Sequence, residues 1–253
     1  MIARPLILVS NDDGIDAQGI SILTHLMLPL GDVVVVAPDG PRSGAACSMT
    51  VTQPVTLTTR SHSHGLIRVA CSGTPADCVK LALEQVVNRK PTLMVSGINH
   101  GDNASINVHY SGTMGAVFEA CMKDIPAIGF SLRTRETQCD FTPYQQAITH
   151  ISEYVLQNGL PQDTCLNVNF PKVERLMGLR VCRMARGKWE TEWAPTQQPG
   201  TFKLTGQYTC LEPDAQDTDW WAMDHDMGAV VPLHLDMTHN PSIHLLHNLE
   251  STL

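Results

Sequence analysis

The chain reads as an α/β layered protein with a mostly parallel sheet, followed by β-hairpins or extended arms. Apolar strand-like runs alternate with helical periodicity through the first two thirds of the chain, as parallel strands with crossover helices require. The run Val33-Val34-Val35-Val36-Ala37 is apolar without interruption, which implies a strand buried on both faces. Beyond Pro171 the long helical periodicity stops, and residues 187–219 are rich in Trp, Thr, Gln, Gly and Pro.

The elements follow in order. Residues 6–9 form the first apolar strand, and Ile20, Leu23, Met27 and Leu30 then give one helical face, ended by Pro29 and Gly31. Residues 33–37 are the second strand. In Ser72-Gly73-Thr74-Pro75-Ala76-Asp77, Thr74 is placed to cap a helix, with Pro75 at its first position and Asp77 in its first turn. Val79, Ala82, Leu83 and Val86 give that helix its apolar face, and residues 93–95 supply a short buried strand. A helix over 113–123 carries Met114, Val117, Phe118 and Cys121 at helical spacing, and 127–131 is the next strand. Residues 142–157 form a helix with Tyr144, Ala147, Ile151 and Leu156 inward, and 166–170 alternate as a strand. The arm region exposes Trp189, Trp193 and Phe202, a liability on a monomer, so these side chains are expected to pack on a partner subunit.

The bulk properties narrow the function. With 253 residues the chain accommodates one large domain, or one domain with a smaller appendage. The formal charge of -8 argues against a nucleic-acid polymer as the main partner. An anionic substrate would then need local help, from a metal ion or from N–H groups at a helix start. The run after Met1-Ile2-Ala3-Arg4-Pro5 is too short for a signal peptide or a membrane span, so no membrane partner and a cytoplasmic setting are expected. Cys47, Cys71, Cys78, Cys121, Cys139, Cys165, Cys182 and Cys210 form no C-x-x-C pair, and they read as reduced core fillers rather than zinc ligands.

Chemistry concentrates where the strands end. Asn11, Asp12 and Asp13 follow the first strand, Ser43 and Gly44 lie past the second, and Asn99 follows 93–95 in Ser96-Gly97-Ile98-Asn99. In a parallel sheet these carboxyl ends converge on one crevice. Taken alone, Asp12-Asp13-Gly14 serves equally well as a solvated turn. Together, Asp12, Asp13, Ser43 and Asn99 form an all-oxygen set suited to a hard cation such as Mg²⁺, Mn²⁺ or Ca²⁺. Tyr110-Ser111-Gly112-Thr113 stands at a helix start, where hydroxyls and free N–H groups either cap the helix or cradle a phosphate. No Walker or dinucleotide glycine spacing occurs.

Asn11-Asp12-Asp13-Gly14, Arg42-Ser43-Gly44, Gly73-Thr74-Pro75-Ala76-Asp77-Cys78, Ser96-Gly97-Ile98-Asn99 and Tyr110-Ser111-Gly112-Thr113 occur in this order. With Leu166-Asn167-Val168-Asn169-Phe170-Pro171 and the segment 232–238, they make the chain resemble the SurE, or survival protein E, family over nearly its whole length. That resemblance implies a Rossmann-like three-layer core with C-terminal arms, and dimers or tetramers built through exchanged C-terminal segments. It divides the chain into a catalytic core, residues 1–185 with 220–238 returning to it, and oligomerisation arms with the tail in 186–253.

The activity it implies is a divalent-metal-dependent nucleotidase that hydrolyses nucleoside 5′- and 3′-monophosphates, with short polyphosphate as a further substrate. One Mg²⁺ or Mn²⁺ per subunit is expected on Asp12, Asp13, Ser43 and Asn99. Asn11, Gly44, Asn103, Ser111, Gly112 and Thr113 are the expected phosphate-binding residues, and Asp12 or Asp13 the proton acceptor. His100 and His109 flank the site and read as packing or solvent-facing residues rather than acids.

The chain departs from the family pattern at Ser105 and Asn107, in place of a glycine and an aspartate, and at Asp226 and Val231, in place of a glycine and a threonine. Two other classes stand beside the metal-dependent reading. A covalent aspartyl-phosphate enzyme uses Asp-x-Asp spacing, whereas the acids here are adjacent. A non-catalytic nucleotide-binding stress protein would bind without turnover.

Overall fold

The computed structural model describes residues 4–134, 136 and 138–251, so Met1-Ile2-Ala3 of the N-terminal run lies outside the described residues. In chain order the strands and α-helices are β1 (Leu6–Ser10), α1 (Gln18–Met27), β2 (Asp32–Pro38), β3 (Leu57–Ser63), β4 (Leu66–Cys71) and α2 (Pro75–Leu81). There follow β5 (Leu93–His100), α3 (Gly112–Cys121), β6 (Ala127–Leu132), α4 (Thr142–Asn158), β7 (Thr164–Phe170) and β8 (Gly178–Val181). The last third holds β9 (Gly187–Glu190), β10 (Trp193–Pro195), β11 (Phe202–Leu204), β12 (Gln207–Cys210), α5 (Asp219–Asp224), β13 (Met227–His234) and α6 (Asn240–Leu246). A π-helical turn, Ala82–Val86, extends α2, and a 3₁₀ turn, Ser105–Tyr110, leads into α3.

Nine strands form one sheet in the order β3-β4-β2-β1-β5-β6-β7-β13-β8. Every neighbouring pair from β4 to β7 is parallel, while β3 and β13 each pair antiparallel with an inner strand. The period-2 geometry of strands divides the core in two. Ile7, Val9, Val33 and Val35 pack with α1 and α4 residues on one face, and Leu6, Leu8, Val34 and Val36 pack with α2 and α3 residues on the other. The four consecutive valines are therefore buried on both sides, and the fold is a three-layer α/β sandwich.

The chain leaves β1 through α1 to β2 on one side, and later returns to place β5 on the other. This makes the β1/β5 boundary a topological switch point, where crossovers diverge and leave a crevice at the strands' carboxyl ends.

Local signals explain the helix starts. Thr74 and Asp77 form a capping box on α2, with Pro75 in the first turn. Ser111 caps α3, its hydroxyl accepting from Met114 N at 3.0 Å. Two elements differ from their sequence expectation. The strand expected over 93–95 runs on to His100, with an irregularity between Ser96 and Asn99 that spans Gly97, so Asn99 lies within the strand. The β3–β4 hairpin was hidden because 58–63 is polar and solvent-exposed.

Beyond β8 the chain forms the expected hairpins. β9 pairs with β12 and β10 with β11, making one long antiparallel arm that returns to the sheet through α5 and β13. Among the described residues no helix is long and apolar enough to cross a membrane. Cys71, Cys78, Cys121, Cys165 and Cys182 are buried as expected, but Cys47 is exposed rather than a core filler.

Candidate active site

Asp12 lies just past β1 at the crevice and is 5% exposed. Its backbone carbonyl accepts from Arg42 N at 2.7 Å, which fixes the loop carrying Ser43 and Gly44 beside it. That loop is also tied to the start of α3, where Ala46 N donates to Tyr110 O at 3.3 Å. Three chain segments distant in sequence are thus held at one point by backbone hydrogen bonds alone.

The side chain of Asp12 is held from the opposite side, since Thr113 Oγ1 donates to Asp12 Oδ1 at 2.5 Å. Gly112 permits this approach, because a Cβ there would stand 2.8 Å from Asp12 Cβ. Burial pushes the Asp12 carboxyl up to about 6; the Thr113 hydroxyl opposes this, and the neighbouring Asp13 charge adds to it. A buried acid with one hydroxyl partner and a second carboxylate next to it is a site short of positive charge.

Asp13 Oδ2 faces His100, 3.2 Å from its Nδ1 and 3.3 Å from its backbone N. His100 packs edge-on against Phe141 at 5.6 Å, and its Nε2 is buried without a partner among the described residues. The histidine packs on Phe141, lines the cavity and is bound to a site aspartate. His109 is exposed. Asn99 Nδ2 donates to Gly101 O at 2.7 Å, which leaves its carbonyl oxygen free to ligate.

Asp12, Ser43, Gly44, Asn99, Asn103 and Ser111 line one cavity of about 1170 Å³. Asp13 adjoins the lining residue Asp12 in the chain, and Gly112 and Thr113 follow the lining residue Ser111. Asn11, expected in the phosphate-binding set, has both of its polar atoms engaged in the turn after β1. It is buried, its Nδ2 donates to Gly14 O at 2.9 Å, and its Oδ1 accepts from Gly14 N at 3.2 Å. It locks the turn in which Gly14 adopts φ +103°.

Sequence reasoning missed the support of Asn103. Its backbone N donates to Asn169 Oδ1 at 2.7 Å, and its Nδ2 donates to Ser131 Oγ at 2.8 Å. Asn169 Nδ2 in turn donates to Asn167 Oδ1 at 3.0 Å, and Asn167 Nδ2 donates to Asn103 O at 2.8 Å. The signal was present as two fully buried asparagines at alternate positions of an apolar strand, a costly choice unless both are hydrogen-bonded.

The departures from the family pattern also find places. Ser105 adopts φ +53°, the region in which glycine is favoured, and is held there by Ser105 N to Asp219 Oδ2 and Ser105 Oγ to Ala185 O, both 2.7 Å. Asp226 likewise has φ +57° where a glycine is usual. Val231 is buried in β13. Asn107 Nδ2 donates to Asp102 Oδ1 at 3.1 Å, while its Oδ1 accepts from Trp189 Nε1 at 2.8 Å. Trp189 thus has a partner within its own chain and is half-buried, whereas Trp193 and Phe202 are each 62% exposed.

The family model for Survival protein SurE matches residues 7–191. A protein named 5′-nucleotidase SurE from Bacteroides fragilis is 48% identical over 98% of this chain and 97% of its own length. Another so named, from Bacteroides thetaiotaomicron, is 50% identical over 93% of this chain and 92% of its own. The crystal structure of the SurE protein from Aquifex aeolicus superposes with a TM-score of 0.82 at 35% identity, covering 97% of this chain and all of that one. The chain belongs to the SurE family.

Proposed function

We propose that the chain is a divalent-metal-dependent phosphomonoesterase that hydrolyses nucleoside 5′- and 3′-monophosphates to nucleoside and phosphate. The observation that carries this reading is that Asp12, Ser43 and Asn99 line one cavity together with Ser111, the cap of α3. Relatives named 5′-nucleotidase SurE, nearly half identical along nearly the whole chain, support the same reaction and disfavour a non-catalytic nucleotide binder.

The donor set fits one hard divalent cation, Mg²⁺ or Mn²⁺. Asp12 and Asp13 bring charge, and Ser43 and Asn99 bring neutral oxygens. When bound, such a cation neutralises phosphoryl charge and acidifies water.

The protein's own groups do the rest. The N–H groups at the start of α3, with Ser111 and the Nδ2 group of Asn103, hold phosphate oxygens. Gly44 presents backbone without a side chain in the same cavity. The Thr113 hydroxyl and the missing side chain of Gly112 set the position of Asp12, while the N–H groups of the same two residues serve the phosphate. Asp12 is the aspartate that lines the cavity, so its Oδ2, the oxygen Thr113 does not hold, receives the proton of the attacking water. The new O–P bond forms as the ester bond breaks, and the leaving alkoxide takes a proton from solvent water, the proton on Asp12 returning to solvent.

We further assign catalysis to residues 1–185 with 220–238, and assembly into a homodimer or homotetramer to the arms and tail in 186–253. The unpaired cysteines fit a reducing, cytoplasmic setting. Phosphate release from adenosine and guanosine monophosphates with Mn²⁺, lost on adding EDTA and in Asp13→Asn, tests the reading. No turnover of any nucleotide or model ester would sink it.

A further inference from the structure

The cavity is lined by two chemically different sets of residues. Besides the oxygen-bearing residues, the lining includes Trp189, Trp193, Tyr208 and Trp220, contributed by the arm and by α5. The indole of Trp189 is fixed at both its polar and apolar parts. Its Nε1 donates to Asn107, and its ring meets Tyr208 in a T-shaped contact at 5.9 Å. Tyr208 lies 4.2 Å from Trp220, and the Arg133 guanidinium sits 4.2 Å from the centre of the Trp220 ring. The arm is thereby clasped to the core through a continuous run of rings. Trp193 lies beyond this run, 62% exposed and paired across the hairpin with Leu204, so its ring is open to the cavity.

The charges on the walls do not favour a polyanion. Asp12, Asp102, Glu136 and Glu192 oppose Arg133 and Lys172 among the described lining residues. Both cations are already paired: Arg133 lies 2.6 Å from Asp224 and 3.6 Å from Asp102, and Lys172 pairs with Glu136. A chain of phosphates leaving the oxygen-bearing residues would meet rings and carboxylates. A flat, neutral heterocycle meets stacking partners instead.

We propose that Trp189 and Trp193 form a seat for the nucleobase, and that Asn107 is the positioning residue that fixes Trp189 in it. This rests on the nucleotidase reading above and narrows it, since the cavity then selects nucleoside monophosphates over polyphosphate and over sugar phosphates lacking a base. The identity of residue 107 fits this role. An asparagine accepts from the indole and donates to Asp102 at once, whereas an aspartate would set a second carboxylate against Asp102.

The test compares kcat/KM for adenosine 5′-monophosphate, ribose 5-phosphate and tripolyphosphate, with adenosine binding measured separately by calorimetry. The wild-type protein should prefer the nucleotide over ribose 5-phosphate by about tenfold or more, the scale of one base–aromatic stack. It should also cleave tripolyphosphate poorly. Trp189→Ala and Trp193→Ala should each shrink the nucleotide preference, with the loss in KM, and should weaken adenosine binding. Asn107→Leu, which removes the indole's acceptor, should shift the preference in the same direction. Equal rates on all three substrates, or a preference untouched by these variants, would overturn the proposal. If no ester is turned over, the nucleotidase reading fails, while adenosine binding that depends on Trp189 still decides the base seat. Where Trp189→Ala fails to fold, Trp193→Ala and Asn107→Leu carry the test.

Discussion

Thr113 Oγ1 donates to Asp12 Oδ1 at 2.5 Å, joining the first turn of α3 to the loop after β1. A hydrogen bond to a buried carboxylate holds one of its oxygens, in a residue that lines the cavity. Thr113→Val keeps the shape and removes the donor. Loss of a hydrogen bond to a charged group, about 1.5–3 kcal/mol, predicts a fall in kcat/KM of about 10- to 100-fold with the circular dichroism spectrum unchanged. Thr113→Ser should recover most of the activity. A valine variant as active as the wild type would remove this hydrogen bond from the account.

The asparagine network beneath Asn103 predicts a coupled loss. Asn169→Ala leaves the buried Asn103 N–H without its acceptor, which should cost about 1–3 kcal/mol in urea unfolding. Because Asn103 lines the cavity, nucleotide turnover should fall as well. A drop in stability with unchanged turnover would show that the network is structural only.

The α2 capping box gives a pH dependence. Burial raises the Asp77 carboxyl, but hydrogen bonds from Thr50 and Thr74 outweigh it and hold the group below the ordinary 3.8. A depressed folded value means that its stabilising contribution is fully present above pH 3.8 and is lost as pH falls through that lower value. Asp77→Asn should therefore cost about 0.5–2 kcal/mol at pH 7. The gap between wild type and variant in thermal melts should close as pH drops below about 4. A gap independent of pH would exclude this electrostatic origin.

How much of this was legible in the sequence depended on the range of each signal. The Val33–Val36 run, the capped α2 and the acids after β1 are local patterns, and each lies where periodicity and turn chemistry put it. Asn99 was placed in a loop because Ser96 and Gly97 look like a strand's end, yet β6 pairing carries β5 past them. Asn11 has a local partner that residue type does not announce. Its amide suits a phosphate, but Gly14 three residues on claims both of its polar atoms. The partners of Trp189 and Asn103 lie 82 and 66 residues away, and no local pattern announces such contacts.

The central claim is that the oxygens of Asp12, Asp13, Ser43 and Asn99 hold one divalent cation on which turnover depends. Its most direct test titrates Mn²⁺ into chelator-stripped protein, following bound metal and phosphate release from adenosine 5′-monophosphate in the same samples. The account predicts that both rise together to about one Mn²⁺ per chain, and that Asp12→Asn abolishes both. Full turnover in the stripped protein, or unchanged Mn²⁺ binding in Asp12→Asn, would contradict it.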